Sequence, residues 1–353
     1  MTVGRLWRVL AASCMFMLFA AACSSAEPEA EVVGTGETGP VTTSTSPAST
    51  TPPTATATAT TDWTVASGAQ DGEEDDPSRG DEDEAPQPVK TTTKADSGFV
   101  AVAAGRDHTC GLRSDQSIVC WGADILDQSS PPSGAFVGIA TGTFWSCGLN
   151  PEMNLACWGD SADDNLEIPS GPLSDVSVGA HACGLRSDGT LACWGVTEWG
   201  GPAAPSGTFV EVSAGTYHSC ALRNNGSVAC WGSDDFGGAE APPGEFASVS
   251  VGVNHSCGLR PDQSVECWGA NQAEQREVPA GAYTQVSSGL SHSCGLRVDQ
   301  SIKCWGADSA GQLDVPAGVY TQVSSGWNHS CGLSIDRSIV CWGLNNDGQT
   351  TVP

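Results

Sequence analysis

From residue 98 onward the chain repeats one hydrophobic–polar pattern: an aromatic residue or Leu, two variable positions, Val or Ile, two more variable positions, then Gly. The seven copies are Phe99/Val102/Gly105, Phe136/Ile139/Gly142, Leu173/Val176/Gly179, Phe209/Val212/Gly215, Phe246/Val249/Gly252, Tyr283/Val286/Gly289 and Tyr320/Val323/Gly326. Short β-branched runs closed by glycine predict strands, and no window carries the periodicity of an amphipathic helix. Two further segments follow each copy, each holding one cysteine of a pair. In the third repeat Ser187-Asp188-Gly189-Thr190 joins them, and in the fourth Asn224-Asn225-Gly226-Ser227. Glycine there suits the left-handed position of a three-residue hairpin loop. Counting back from that loop pairs Arg186 with Thr190, Leu185 with Leu191, Gly184 with Ala192 and Cys183 with Cys193. A fourth segment follows each Trp-Gly and ends at Pro132, Pro169, Pro205, Pro242, Pro279, Pro316 or Pro353, as suits a strand edge or the turn into the next unit. Four short strands per repeat, seven times over, predict an all-β, seven-bladed β-propeller of about 37-residue repeats. A solenoid is the alternative fold.

The cysteine pairs are Cys110/Cys120, Cys147/Cys157, Cys183/Cys193, Cys220/Cys230, Cys257/Cys267, Cys294/Cys304 and Cys331/Cys341. The predicted register puts each pair at a non-hydrogen-bonded site of its hairpin, where the Cα atoms lie nearest and a disulfide is geometrically plausible. The other readings are reduced pairs acting as small buried hydrophobes, or metal ligands. Structural zinc calls for four ligands in close groups, whereas neighbouring pairs here fall in different blades. Export into an oxidising compartment favours seven disulfides.

That export is read from the N-terminus. Arg5 and Arg8 precede an apolar run that ends Leu18-Phe19-Ala20-Ala21-Ala22-Cys23, the layout of a cleaved signal rather than a membrane span. It resembles a bacterial lipoprotein signal with Cys23 as the lipidated residue, although Ala20 stands where Leu is usual. An ordinary signal peptidase could cut at the same bond and leave Cys23 a free thiol. The even count of array cysteines favours the lipid. Residues 23–97 are Thr, Ser, Pro, Ala and acid, too polar to offset the entropy of ordering. The expected organisation is a signal peptide (1–22), a disordered linker (23–97) and the propeller (98–353), lipid-anchored on the extracytoplasmic face of the membrane.

The formal net charge is −27. Such a chain repels phosphate backbones, which excludes nucleic acid as a partner class.

Val323-Ser-Ser-Gly-Trp-Asn-His-Ser-Cys-Gly-Leu333, followed by Ser338-Ile-Val-Cys-Trp-Gly-Leu-Asn-Asn-Asp-Gly-Gln-Thr-Thr-Val-Pro353, resembles the repeat of the regulator-of-chromosome-condensation superfamily of seven-bladed propellers. The short period and the Gly-Gln-Thr-Thr-Val-Pro ending are most similar to its bacterial branch, which includes a secreted β-lactamase inhibitor. The cysteine pairs depart from that branch and resemble the extracellular repeats of plant crinkly-type receptor kinases. The resemblance spans residues 98–353 and implies the fold. It says little about function, because the fold hosts exchange factors, inhibitors, photoreceptors and scaffolds.

All six histidines, His108, His181, His218, His255, His292 and His329, stand two residues before the first cysteine of a repeat, with Trp145 in the seventh place. A metal ring is one reading; the favoured one is that each histidine closes its own blade by a hydrogen bond to backbone. The Trp of each Cys-Trp-Gly is read as inter-blade packing. No nucleophile-and-base constellation, phosphate loop or zincin motif occurs, so the expectation is a non-enzymatic protein with no cofactor and no metal. What varies between repeats is the loop ahead of the histidine and the segment after Trp-Gly. Both are expected at one end of the propeller, and they nominate Arg106, Asp107, Phe144, Trp145, Trp199, Tyr217, Phe236, Asn254, Trp327 and Asn328 as a binding face. In the inhibitor relatives residues just before this histidine contact the partner, which by resemblance singles out Phe144, Tyr217 and Trp327. The expected partner is a protein or cell-envelope ligand, bound by a monomer. The alternatives are regulation of another enzyme, by inhibiting an extracellular hydrolase such as a β-lactamase or by guanine-nucleotide exchange, and exposed aromatics with no partner.

Overall fold

The computed structural model describes residues 98–160, 168–195 and 203–353. The signal peptide, Cys23, the linker, Trp199 and the acidic pair Asp163/Asp164 lie outside the described residues.

Each repeat forms one antiparallel sheet of three strands, and the seven sheets are the blades of a propeller. The inner strands are Phe99–Ala104, Gly138–Thr141, Leu173–Val178, Phe209–Ala214, Ser248–Val251, Tyr283–Ser288 and Tyr320–Ser325. The middle strands start at the His position, as in His108–Arg113, and the outer strands end at Trp-Gly, as in Ile118–Gly122. The predicted register holds: Arg186 N–H donates to Thr190 O at 2.9 Å, and Leu185, Gly184 and Cys183 face Leu191, Ala192 and Cys193. Gly189 and Gly226 take the left-handed turn position with φ 81° and 80°.

All seven cysteine pairs are disulfides, which sets aside the readings as reduced thiols or metal ligands. Cys110 joins Cys120, Cys147 joins Cys157, Cys183 joins Cys193, Cys220 joins Cys230, Cys257 joins Cys267, Cys294 joins Cys304 and Cys331 joins Cys341, each with Cα–Cα 4.0 Å. The two halves of each bridge differ in surroundings. Every middle-strand cysteine is fully enclosed. On the outer strand Cys267 and Cys304 are buried, whereas Cys120, Cys157, Cys193, Cys230 and Cys341 are only half-buried. The physical reason is position: the outer strand is the last of its sheet, with no further strand beyond it. The bridge ties that edge strand to the enclosed middle one. Each closes a short loop and contributes about 2.5 to 3 kcal/mol on the chain-entropy account.

The fourth strand expected after Trp-Gly does not form in the described residues. The glycine of Trp-Gly has positive φ in all seven blades, 94° to 110°, and a Cβ on Gly122 would meet Asp107 O at 2.6 Å. The chain therefore turns where a strand would have to run on. Side chains take the backbone groups a ladder would have paired: Asp124 Oδ1 accepts Ser129 N–H at 2.8 Å, and Gln128 Oε1 accepts Leu126 N–H at 2.8 Å. The pattern recurs with Asn271 and Gln275, Asp308 and Gln312, and Asn345 and Gln349.

These turns join the blades. The indole N–H of Trp158, Trp305, Trp342 and Trp121 donates to the backbone carbonyl of Gln128, Gln275, Gln312 and Gln349 in the preceding blade, at 2.9 to 3.0 Å. The histidines also act between blades, which corrects the own-blade expectation. His108, His181, His218, His255 and His292 Nε2 lie 2.6 to 2.8 Å from Ser146, Ser219, Ser256, Ser293 and Ser330 Oγ of the next blade, and His329 closes the ring onto Thr109 Oγ1 at 2.8 Å. The physical reason is room: Gly105 leaves space beside the His108 ring, which turns its far nitrogen outward to the neighbour.

The one blade without a histidine is explained by its neighbour. The residue facing position 145 is Ala182 where the other blades have a hydroxyl, so a histidine at 145 would find no partner. Trp145 fills the space, packs on Ala182 and Trp194, and donates its indole N–H to Gly179 O at 3.2 Å. Nearest the axis, a Cβ on each of Gly105, Gly142, Gly179, Gly215, Gly252, Gly289 and Gly326 would collide with the carbonyl of the next glycine around, the last pressing on the first. Only glycine lets seven inner strands converge this closely.

Candidate functional site

The loops after the inner strands and the turns after Trp-Gly emerge at the same end of the blades, because the middle strand runs antiparallel to both neighbours. These loops vary because the glycine collar, the histidine bonds and the Trp–carbonyl bonds around them already fix the frame. Four of the nominated residues come together across blades seven, one and two. The Arg106 guanidinium carbon lies 4.3 Å from the Trp327 ring centroid and 4.9 Å from that of Phe144, and its Nε is 3.0 Å from Asp107 Oδ2. A cation between two rings and beside a carboxylate is held by quadrupole and charge together. Burial pushes the Asp107 carboxyl up from its usual value, against the pull of Arg106. Phe144 keeps 39% of its surface exposed. Asn328 sits beside Trp327 and its Oδ1 accepts a 3.5 Å bond from Gln312 Nε2. Arg106 and Trp327 also line the mouth of a cavity on the axis, ≈ 150 Å³, walled by the inner-strand ends of all seven blades.

Tyr217, Phe236 and Asn254 form a second group at blades four and five. They line a cavity of ≈ 400 Å³ with Ser233, Asp235 and Val253. Phe236 is 49% exposed, Ser233 Oγ donates to Asp235 Oδ2 at 3.0 Å, and Asn254 Oδ1 is buried without a hydrogen-bond donor. Asp234, by contrast, caps its own turn through Ala239 N–H at 2.8 Å.

Trp145 does not belong to this face. It is 4% exposed and sits in the core between blades; a position variable in sequence proved variable because its packing partner changed, not because it meets solvent. The disulfides stand apart too, for none of the fourteen bridged cysteines lines either of these cavities. The histidines are equally enclosed. Burial lowers their pKa to about 4 for His108, His181, His218 and His292 and about 3 for His255 and His329, so all are neutral at pH 7. Among the described residues no three His, Cys, Asp or Glu gather as metal ligands.

Charge divides between the two ends. The loop end carries Asp107, Asp124, Asp127, Asp160, Asp234, Asp235, Glu240, Glu274, Glu277, Asp308, Asp314 and Asp347 against Arg106 and Arg276. The hairpin end carries Arg113, Arg186, Arg223, Arg260, Arg297, Lys303 and Arg337, beside the turn carboxylates, and exposes Val298 and Ile335. Sequence reasoning missed this division, which appears only when residues are sorted by strand end. It also missed Glu211, whose buried carboxyl is pushed up to about 7 by desolvation, with a further push from Asp175, although Val249 N–H donates to it at 3.0 Å.

Five segments, residues 99–124, 209–237, 246–275, 283–312 and 320–349, match the family described as "Regulator of chromosome condensation (RCC1) repeat". No protein of curated function matches the sequence significantly. Among solved structures, the ectodomain of the Physcomitrella patens receptor kinase CR4 is similar at 27% identity and TM-score 0.61, over 70% of this chain and 73% of that one. The CRINKLY WD40 ectodomain of the Arabidopsis thaliana receptor kinase ACR4 is similar at 26% identity and TM-score 0.59, over 71% and 97%. Human WBSCR16, at 14% identity and TM-score 0.57 over 68% and 87%, shares the fold alone.

Proposed function

We propose, from the membership of this chain in the regulator-of-chromosome-condensation repeat superfamily, that it is a non-enzymatic binding module whose ligand is a protein or another component of the cell envelope. The ligand meets the loop end through Arg106, Asp107, Phe144, Tyr217, Phe236, Asn254, Trp327 and Asn328. The observation that carries this reading is Arg106 held between Phe144 and Trp327: three consecutive blades contribute loop residues, at positions the repeat leaves variable, to one preorganised cluster beside the axial cavity. Rigid aromatic and arginine side chains of this kind dominate binding energy at protein interfaces.

Seven disulfides suit an oxidising, extracytoplasmic compartment, and two similar structures are receptor ectodomains. With the apolar N-terminal run ending at Cys23, these support a monomeric propeller displayed outside the cytoplasm on a lipid anchor, at the end of the polar linker. The test is affinity capture from cell-envelope extract by the wild-type chain and by a Phe144→Ala/Trp327→Ala variant of unchanged thermal stability, with β-lactamases and cell-wall hydrolases added as purified candidates. Loss of a captured or inhibited protein in the variant is expected. Identical capture by both chains overturns the reading.

A further inference from the structure

The cluster around Arg106 shows what this face does with a guanidinium: two rings and a carboxylate enclose it. The cavity at blades four and five is lined by related side chains. Tyr217 and Phe236 supply ring surface, Asp235 supplies a carboxylate, and Asn254 Oδ1 is a buried acceptor with no donor. The loop end as a whole carries a surplus of carboxylates, with Arg106 and Arg276 its only basic residues among those described, a field that favours positive charge.

We infer that the Tyr217/Phe236/Asp235/Asn254 cavity is a subsite for an arginine side chain of a cationic protein partner, with the guanidinium against the rings and its N–H groups on the Asp235 carboxylate. This rests on the binding reading above and gives that partner a chemistry. The chain's own linker does not fit as the occupant: residues 24–97 hold 15 acidic residues against Arg79, Lys90 and Lys94, so the same field repels them. Arginine is favoured over lysine because a planar fork both stacks on rings and bonds two acceptors.

The test is an NMR titration of the ¹⁵N-labelled mature chain with acetyl-tetra-arginine amide, following the Asn254 side-chain amide and the backbone of residues 233–238. The parallel titrations use tetra-citrulline, equal in shape and uncharged, and tetra-lysine. The arginine peptide is expected to move these signals saturably and more tightly than lysine, citrulline not at all. Asp235→Asn with Phe236→Ala is expected to weaken arginine binding by about tenfold or more, while Glu152→Gln at the opposite end leaves it unchanged. Absence of a local shift, equal affinity for lysine, or shifts spread over the whole face that persist in the double variant overturns the inference. None of these outcomes bears on the Phe144/Trp327 capture experiment, so the two readings fail separately.

Discussion

Acidification is expected to open this propeller through its histidines. Each of the six is buried and neutral, and each has a pKa lowered from 6.5 to about 4 or about 3 by desolvation. Asp124, Asp234 and Asp308 oppose that shift at His108, His218 and His292 without reversing it. A depressed folded pKa means that the unfolded chain takes up the proton first. The stabilisation is therefore complete above pH 6.5 and is lost as pH falls toward 4. Between pH 7 and pH 5 each histidine forfeits about 2 kcal/mol, and six together about 12 kcal/mol. Glu211 works in the opposite sense: its raised folded pKa, about 7, favours the folded state on acidification and offsets about 2 kcal/mol over the same range. A net loss of about 10 kcal/mol is comparable with the whole stability of an ordinary domain, about 5 to 15 kcal/mol. Urea unfolding followed by tryptophan fluorescence at pH 7.5, 6.5, 5.5 and 5.0 gives the slope of stability against pH. Near pH 5.5 that slope corresponds to uptake of about four to five protons on unfolding. His292→Gln lowers it by about one proton. An uptake below two protons in the wild-type chain refutes the assignment of the histidines as a neutral inter-blade ring.

Two further outcomes test the frame. Trp145→His places an imidazole opposite Ala182 with no hydroxyl to meet, and Ala182→Ser buries a hydroxyl against the Trp145 ring. Each single change is expected to cost about 2 to 4 kcal/mol, and the double change, which restores the arrangement of the other blades, to recover at least about 1 kcal/mol in a thermodynamic cycle; strict additivity counts against the pairing. Gly179→Ala sets a methyl against Gly215 O and is expected to destabilise by about 3 kcal/mol or to prevent folding, read as soluble yield and melting temperature, whereas Gly171→Ala, open around its Cα, serves as a control for its left-handed backbone alone.

Much of the architecture was legible because it is local. The hairpin pairing followed from the position of Gly189 relative to Cys183 and Cys193, and the inner strands from the spacing of Phe99, Val102 and Gly105. The fourth strand was misread because proline position shows where a repeat ends and not whether the segment before it pairs; the positive φ of Gly122 and its equivalents decides that. The histidine bonds were misread because their partners sit in the next repeat, about 38 residues away, beyond any local pattern. Trp145 shows the same limit at the candidate site: its exposure depended on Ala182. The contact of Arg106 with Phe144 and Trp327 needed ring closure to bring residue 327 beside residue 106, and Asn254 needed a cavity to reveal an acceptor without a donor.

Blade one takes its three strands from residues 99–122 and blade seven from 320–343, so no strand is exchanged where the circle meets. The interface between them is made of the same bonds as the others: Trp121 to Gln349 O, Thr109 to His329, Trp327 N–H to Gly105 O. The place where the chain starts is therefore not a structural seam. A circularly permuted gene that joined residue 353 to residue 98 and opened the chain at another repeat boundary would encode the same seven blades, with its two ends brought to a different inter-blade boundary.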